Sequence, residues 1–212
     1  MFYTTSPNNH GLPHDPFKAL IVPRPIGWIG TRSPRGELNL APYSYFNAVS
    51  DQPKLVMFAS QGPKDSVTFA EESGAFSASF VSANLTKQMN LTSVSAPRGV
   101  DEFQLAGLTP LPCELVPAVR VKEAYASVEC RVTQIVRPQT ISKPTNTIIV
   151  FGEVVGIHID EAILTNGMID IAKAQPVARM GYMDFAVVDE VFQMFRPPWP
   201  LPASDARERT GS

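Results

Sequence analysis

Two long stretches of alternating apolar and polar residues constrain this chain most: YASVECRVTQIVR from Tyr125 and TIIVFGEVVGIHI from Thr147. Alternation at every second position puts one set of side chains on each face of a strand, and the many Val, Ile and Thr residues suit a pleated, half-buried surface. Only the Pro138 to Asn146 turn region separates the two, which predicts adjacent antiparallel strands. Elsewhere the apolar runs are short and punctuated. ALIVPRPIGWIGT breaks at Pro23 and Pro25, predicting strands joined by a rigid kink that carries Arg24, and Ser33 to Gly36 reads as a turn. LVMFAS from Leu55 and AFSASFV from Ala75 read as further strands. Short helices are expected before Gly74, within NLTKQMNLTS, and before Pro176; residues 97 to 118, kept from regular structure by Pro110, Pro112 and Pro117, read as irregular. The class is mainly β, a barrel with a few short peripheral helices.

A turn-rich arm is expected over residues 1–18, one compact domain over 19–190, and a proline-rich, partly disordered arm over 191–212. A net charge of −2 gives no global reason to bind nucleic acid. No apolar run approaches the ~20 residues that cross a bilayer, and the N-terminus lacks the basic and apolar regions of an export signal, so no membrane association and a cytoplasmic location are expected. Cys113 and Cys130 are not spaced as a metal or redox pair and are read as small buried hydrophobes. His10 and His14 sit four apart, but Gly11 and Pro13 between them argue against a helix that would align them on a metal; no metal site is expected.

The stretch NLAPYSYFNAVS, Asn39 to Ser50, mixes small, polar and aromatic residues, and Pro42 removes a backbone donor in its middle. Two readings follow. It is a half-buried edge strand with a bulge at Pro42, or a wall for a flat ligand. In the second reading Ala41 and Ser44 allow close approach to the main chain, Tyr43, Tyr45 and Phe46 offer aromatic surface, and Ser44 and Asn47 offer hydrogen bonds. The loop Ser60 to Ser66 likewise has two readings. It is an ordinary helix start capped by Asp65 or Ser66, or a monophosphate site built from free backbone N–H groups, two hydroxyls and the Lys64 ammonium. It is not a Walker A loop. Glu129 and Glu153 read as outward-facing, solvated or paired charges. GxSxG, HExxH and GxGxxG are all absent, and His158 is the single histidine of the folded middle, readable either as a structural imidazole or as an acid or base. Redox chemistry here would fall to a bound cofactor.

Taken in order, RPIGWIGT, NLAPYSYFNAVS, KDS, the Glu102–Phe103 pair, ECR at 129–131, GEVVGIHI and ARMGYMDF resemble the flavin reductase-like proteins with the FMN-binding split barrel, the flavoredoxin-like flavoproteins. The resemblance runs from about Ala19 to Val188. It implies a Greek-key split barrel, a homodimer with FMN near the subunit interface, and hydride transfer from NADH or NADPH to flavin N5. It places the flavin ring against Asn39, Ala41, Pro42, Tyr43, Ser44, Tyr45 and Asn47, and the phosphate on Ser60, Lys64, Asp65 and Ser66, with Asp65 better seen as the helix cap. Ser79 stands where the family commonly has an asparagine facing the flavin, and Arg179 matches an arginine of the C-terminal corner. His158 is the catalytic candidate, for orienting nicotinamide. Two alternatives keep the fold: a non-enzymatic FMN electron carrier, and a binding module for another phosphate ester.

Overall fold

The computed structural model describes residues 1–200. Its main feature is a seven-stranded antiparallel sheet, built from β2 (Gly27–Arg32), β3 (Leu38–Tyr43), β4 (Phe46–Asp51), β5 (Lys54–Gln61), β6 (Ala75–Ser79), β9 (Ala126–Val136) and β10 (Thr147–Ile159) in the spatial order β3-β2-β6-β9-β10-β5-β4. The long stretches of the sequence are β9 and β10, paired from Ile149 opposite Val136 to Ile159 opposite Ala126. Small sheets surround this body: β1 (Arg24–Pro25) with β13 (Val177–Arg179) and β14 (Phe185–Val187), β7 (Pro110–Pro112) with β8 (Val119–Val121), and β11 (Leu164–Thr165) with β12 (Met168–Ile169). Five short helices complete it: α1 (Phe17–Leu20), α2 (Asp65–Ser73), α3 (Thr86–Leu91), α4 (Glu102–Ala106) and α5 (Ile171–Ala174).

The stretch read as a single strand from Asn39 to Ser50 is two. It breaks at Ser44–Tyr45, and the halves, β3 and β4, are the two opposite edges of the sheet. Two residues bridge only about 10 Å, so the sheet must curl until its edges meet. Ser44–Tyr45 is therefore the seam of a barrel whose edges are joined by the chain and not by a ladder of hydrogen bonds. Pro42 is tolerated because β3 pairs on one side only, with β2.

Inside the curl lie Ile29, Tyr43, Val56, Phe58, Phe76, Ala78, Cys130 and Val150, closed at one end by Val67 and Ala70 of α2. Outside it Trp28, Leu40, Val119 and Val121 pack against Leu85, Met89 and Phe103. β8 crosses this outer face without joining the ladder. Ser77 and Ser79, two apart on β6 and so on one face, hold it: Ser77 Oγ donates to the Val119 carbonyl at 2.6 Å and Ser79 Oγ accepts from the Val121 N–H at 3.1 Å. Gly30 permits the approach, since a Cβ there would stand 2.0 Å from the Val119 carbonyl oxygen.

Residues 97 to 118 are more ordered than their prolines suggest. Asp101 caps α4 by accepting from the N–H groups of Phe103 and Gln104, and Gly107 ends it in the left-handed region. The N-terminal arm is turn-rich and packs His14 against Tyr182, with ring centroids 5.6 Å apart, while the His10 Nδ1 accepts from the Leu12 N–H. The expected C-terminal arm has no strand or helix as far as residue 200; its last twelve residues lie outside those described. Cys130 is buried and Cys113 half-buried, both as free thiols, and burial pushes the Cys113 thiol up to about 12. No helix of the described residues is long and apolar enough to cross a membrane.

Candidate functional site

A cavity of about 390 Å³ opens on the seam, lined by Asn39, Ala41, Pro42, Tyr43, Ser44 and Tyr45 on one side and by Lys64, Asp65 and Ser66 on another. The two stretches singled out in the sequence thus face one space. α2 starts there. Its flanking residue Lys64 is extended, with φ −71° and ψ 166°, and the Lys64 carbonyl accepts the N–H groups of Val67 and Thr68. The N–H groups of Asp65 and Ser66, two residues earlier in each case, have no acceptor within the described chain. The Lys64 ammonium is exposed and likewise without a partner among the described residues. Gly74 closes the helix in the left-handed region, as its sequence position predicts.

Several residues hold this end of the cavity together instead of lining it with free donors. Ser66 Oγ donates to Asn39 Oδ1 at 2.6 Å, and Asn39 Nδ2 donates to Glu102 Oε2 at 3.1 Å, which also accepts the Leu40 N–H at 3.1 Å. This buried chain ties α2 and α4 to β3. Burial pushes the Glu102 carboxyl up from its usual value, against the pull of the Leu40 N–H and Asn39. The role of the Glu102–Phe103 pair, invisible in the sequence, is structural support of the wall. Asp65 makes no cap hydrogen bond. It sits inside the first turn and pairs with Arg98, its Oδ1 lying 2.9 Å from Nη2, so its charge is already compensated.

Some expectations are corrected. Tyr43 lines the cavity, but its ring turns into the core against Phe58 at 5.0 Å and its hydroxyl is buried with no hydrogen-bond partner among the described residues. Burial raises the Tyr43 pKa, with Ser66 and Ser60 pulling the other way. Phe46 leans over Gly27 inside the barrel mouth, so Tyr45 is the aromatic side chain of the wall. Asn47 is exposed on β4 and its Oδ1 accepts the next N–H, that of Ala48; it does not reach the cavity. Ser60 is buried and donates to the Gly62 carbonyl at 2.9 Å, bracing the loop. Ser79 is spent on β8 and Ser127. Arg179 lines a smaller neighbouring cavity of about 190 Å³.

His158 lies apart from both cavities, 2.6 Å through Nε2 from Oε1 of Glu129. Glu129 is fully buried, not outward-facing, and also accepts the N–H groups of Glu114 and Leu115 at 2.8 Å each. Burial alone would push its carboxyl up, but His158 and the two N–H groups outweigh this and hold it below its usual range. The pair secures the 113–116 loop against β9 and β10. It has no place at the cavity in this chain.

Sequence reasoning missed Lys18, Arg98 and the 92–96 segment, all of which line the larger cavity. Lys18 lies at the end of the expected N-terminal arm, in α1, and nothing local in TSVSAP marks a wall. Their shared position arises from packing: Trp28 Nε1 donates to Thr92 Oγ1 at 2.8 Å in the core and pins that segment beside the seam.

A curled antiparallel barrel with a cavity at its split is the architecture of the split-barrel flavoproteins. Residues 19–176 match the family model described as flavin reductase like domain, and the chain belongs to this family. It is 35% identical over 168 residues to an uncharacterised protein of Aquifex aeolicus, covering 76% of this chain and 83% of that one. Among solved structures, nitrilotriacetate monooxygenase component B from Bacillus cereus is 29% identical with a TM-score of 0.80, over 88% of this chain and 96% of that one. Flavoredoxin of Desulfovibrio vulgaris, at 23% identity and a TM-score of 0.73 over 81% and 90% of the two chains, shares the fold.

Proposed function

We propose that this protein binds FMN in the seam cavity and acts as an oxidoreductase, with NADH or NADPH as hydride donor. The observation that carries this reading is the pairing of the two cavity walls: a flat wall of small residues, Ala41, Pro42 and Ser44, faces a helix start with two free N–H groups and an unpaired lysine. The cavity volume of about 390 Å³ lies in the range of small-molecule sites. Lys64 and the N–H groups of Asp65 and Ser66 would hold the phosphate, and the backbone of 41–45 would meet the polar edge of the ring. Bound flavin supplies a hydride acceptor at N5. The chain's own work is then to hold donor and acceptor in register and to exclude water, for which no acid or base is required. The similar proteins, a monooxygenase component and a flavoredoxin, support redox work on this fold and leave the electron carrier as the second reading.

Purified protein is expected to be yellow, or to become so with FMN, and to release FMN and not FAD on denaturation. Anaerobic mixing with NADH and with NADPH then tests the donor: bleaching of the flavin absorbance by either supports the reductase. A flavin that neither bleaches, yet a reduced partner protein does, replaces it with the carrier.

We also propose a homodimer. The mouth of the barrel is an apolar groove of about 410 Å³ between Pro23, Phe46, Phe80, Val128 and Val177. Ile157 and Ile159, paired with Val128 and Ala126 and so on the same sheet face, extend it while about half exposed, 53% and 46%. A second subunit would cover this surface. Light scattering should give twice the 23.1 kDa chain mass; a monomer that still holds one FMN per chain would refute the dimer.

A further inference from the structure

The smaller cavity presents an electrostatic oddity. In the β1–β13 ladder Arg24 stands directly opposite Arg179. Directly opposed residues share a sheet face with Cβ atoms about 5 Å apart, and like charges there destabilise the pair. No ion pair offsets this: among the described residues no carboxylate lines the cavity and neither arginine has an acidic partner. Lys18 adds a third positive charge to the same lining.

The two guanidinium groups are held and not floppy. Arg24 is buried, with Nη1 donating to the carbonyls of Lys18 and Ile21 at 2.7 and 2.6 Å and Nη2 to that of Met180 at 3.0 Å. Its Nε is buried with no acceptor among the described residues. Arg179 donates to the Tyr182 carbonyl and lies over the Phe185 ring, its Cζ 4.5 Å from the centroid. Neutral carbonyls fix position without cancelling charge. A fixed, uncompensated cluster beside an aromatic ring is arranged for an anion.

Position decides which anion. Lys18, Pro42, Ser44 and Ser93 line both cavities, so the smaller one opens onto the ring-facing wall, whereas Lys64 and the helix start line only the larger. We propose that the Arg24–Arg179–Lys18 cavity is a subsite for the anionic group, phosphate or carboxylate, of the second ligand that meets the flavin. The assignment of that anion to a second ligand rests on the FMN reading above; the existence of the anion site does not.

The test is calorimetric titration of both flavin-free and FMN-loaded protein with inorganic pyrophosphate, benzoate and NADP⁺. At least one should bind with one-to-one stoichiometry to the flavin-free form, and salt should weaken it. Arg179→Ala should weaken that binding about tenfold while FMN affinity stays within about twofold, and Arg179→Lys should recover part of the loss. Pyrophosphate and NADP⁺ binding in preference to benzoate assigns the site to a dinucleotide; the reverse assigns it to an aromatic acid. Should Arg179→Ala fail to fold, Lys18→Ala, an exposed side chain, takes its place on the flavin-free protein. The proposal is overturned if none of the three anions binds at millimolar concentration, if binding ignores these substitutions, or if FMN weakens as much as the anions. A protein that refuses FMN yet binds an anion through Arg179 refutes the flavin reading and leaves the subsite standing.

Discussion

Lys64→Ala is expected to weaken FMN binding about tenfold or more while riboflavin binds as before, because only FMN carries the phosphate that a charge-assisted hydrogen bond would hold, at about 1.5–3 kcal/mol. Fold stability should not move, since the Lys64 side chain is exposed and its ammonium makes no hydrogen bond or ion pair among the described residues. Fluorescence titration of both ligands against both proteins reads the difference. Equal weakening of FMN and riboflavin would take Lys64 off the phosphate. Ser66→Ala is a different case: its hydroxyl already donates to Asn39, so the substitution should disturb the wall and weaken both ligands together.

Glu129→Ala should destabilise the fold by about 3–5 kcal/mol, the cost of removing one side of a buried pair, out of a total of about 5–15 kcal/mol for a domain. The carboxylate answers three donors at once, the N–H groups of Glu114 and Leu115 and the ring of His158. All three would be left without it. His158→Ala should cost much less, because Glu129 keeps its two backbone donors and the imidazole is partly exposed. Neither change should alter FMN affinity in the surviving folded protein. If His158→Ala instead left stability intact and slowed NAD(P)H oxidation, the histidine would return to the mechanism. Acid gives an independent check. The Glu129 carboxyl is held below its usual value of 4.5, so the folded state binds fewer protons than the unfolded one. Its stabilisation is complete above that value and is lost as pH falls through the lower folded pKa. Urea unfolding followed below pH 5 should therefore fall less steeply in Glu129→Gln than in the unsubstituted protein.

The mainly β class, the antiparallel pairing of β9 with β10 and the helix over 65–73 are local properties, and the sequence carries them openly. Alternation at period two and a glycine stop at Gly74 act through neighbours along the chain. The same holds for the two walls of the cavity. Small residues around Pro42 and a lysine before a helix start are chemical statements that need no partner to be read. What local pattern could not supply was facing and closure. The break at Ser44–Tyr45 is invisible in NLAPYSYFNAVS, since both halves are extended; it becomes a seam only because the whole sheet curls and brings β3 and β4 together. Ser79 and His158 have side chains suited to a site, yet β8 claims the first and Glu129 the second. Arg24 and Arg179 are separated by most of the domain, and their opposition exists only through the β1–β13 ladder. Composition and periodicity act over a few residues and so determined the class of fold and the chemistry of each wall; which polar groups remain free to meet a ligand depends on pairings across the whole chain, and only the tertiary structure decided them.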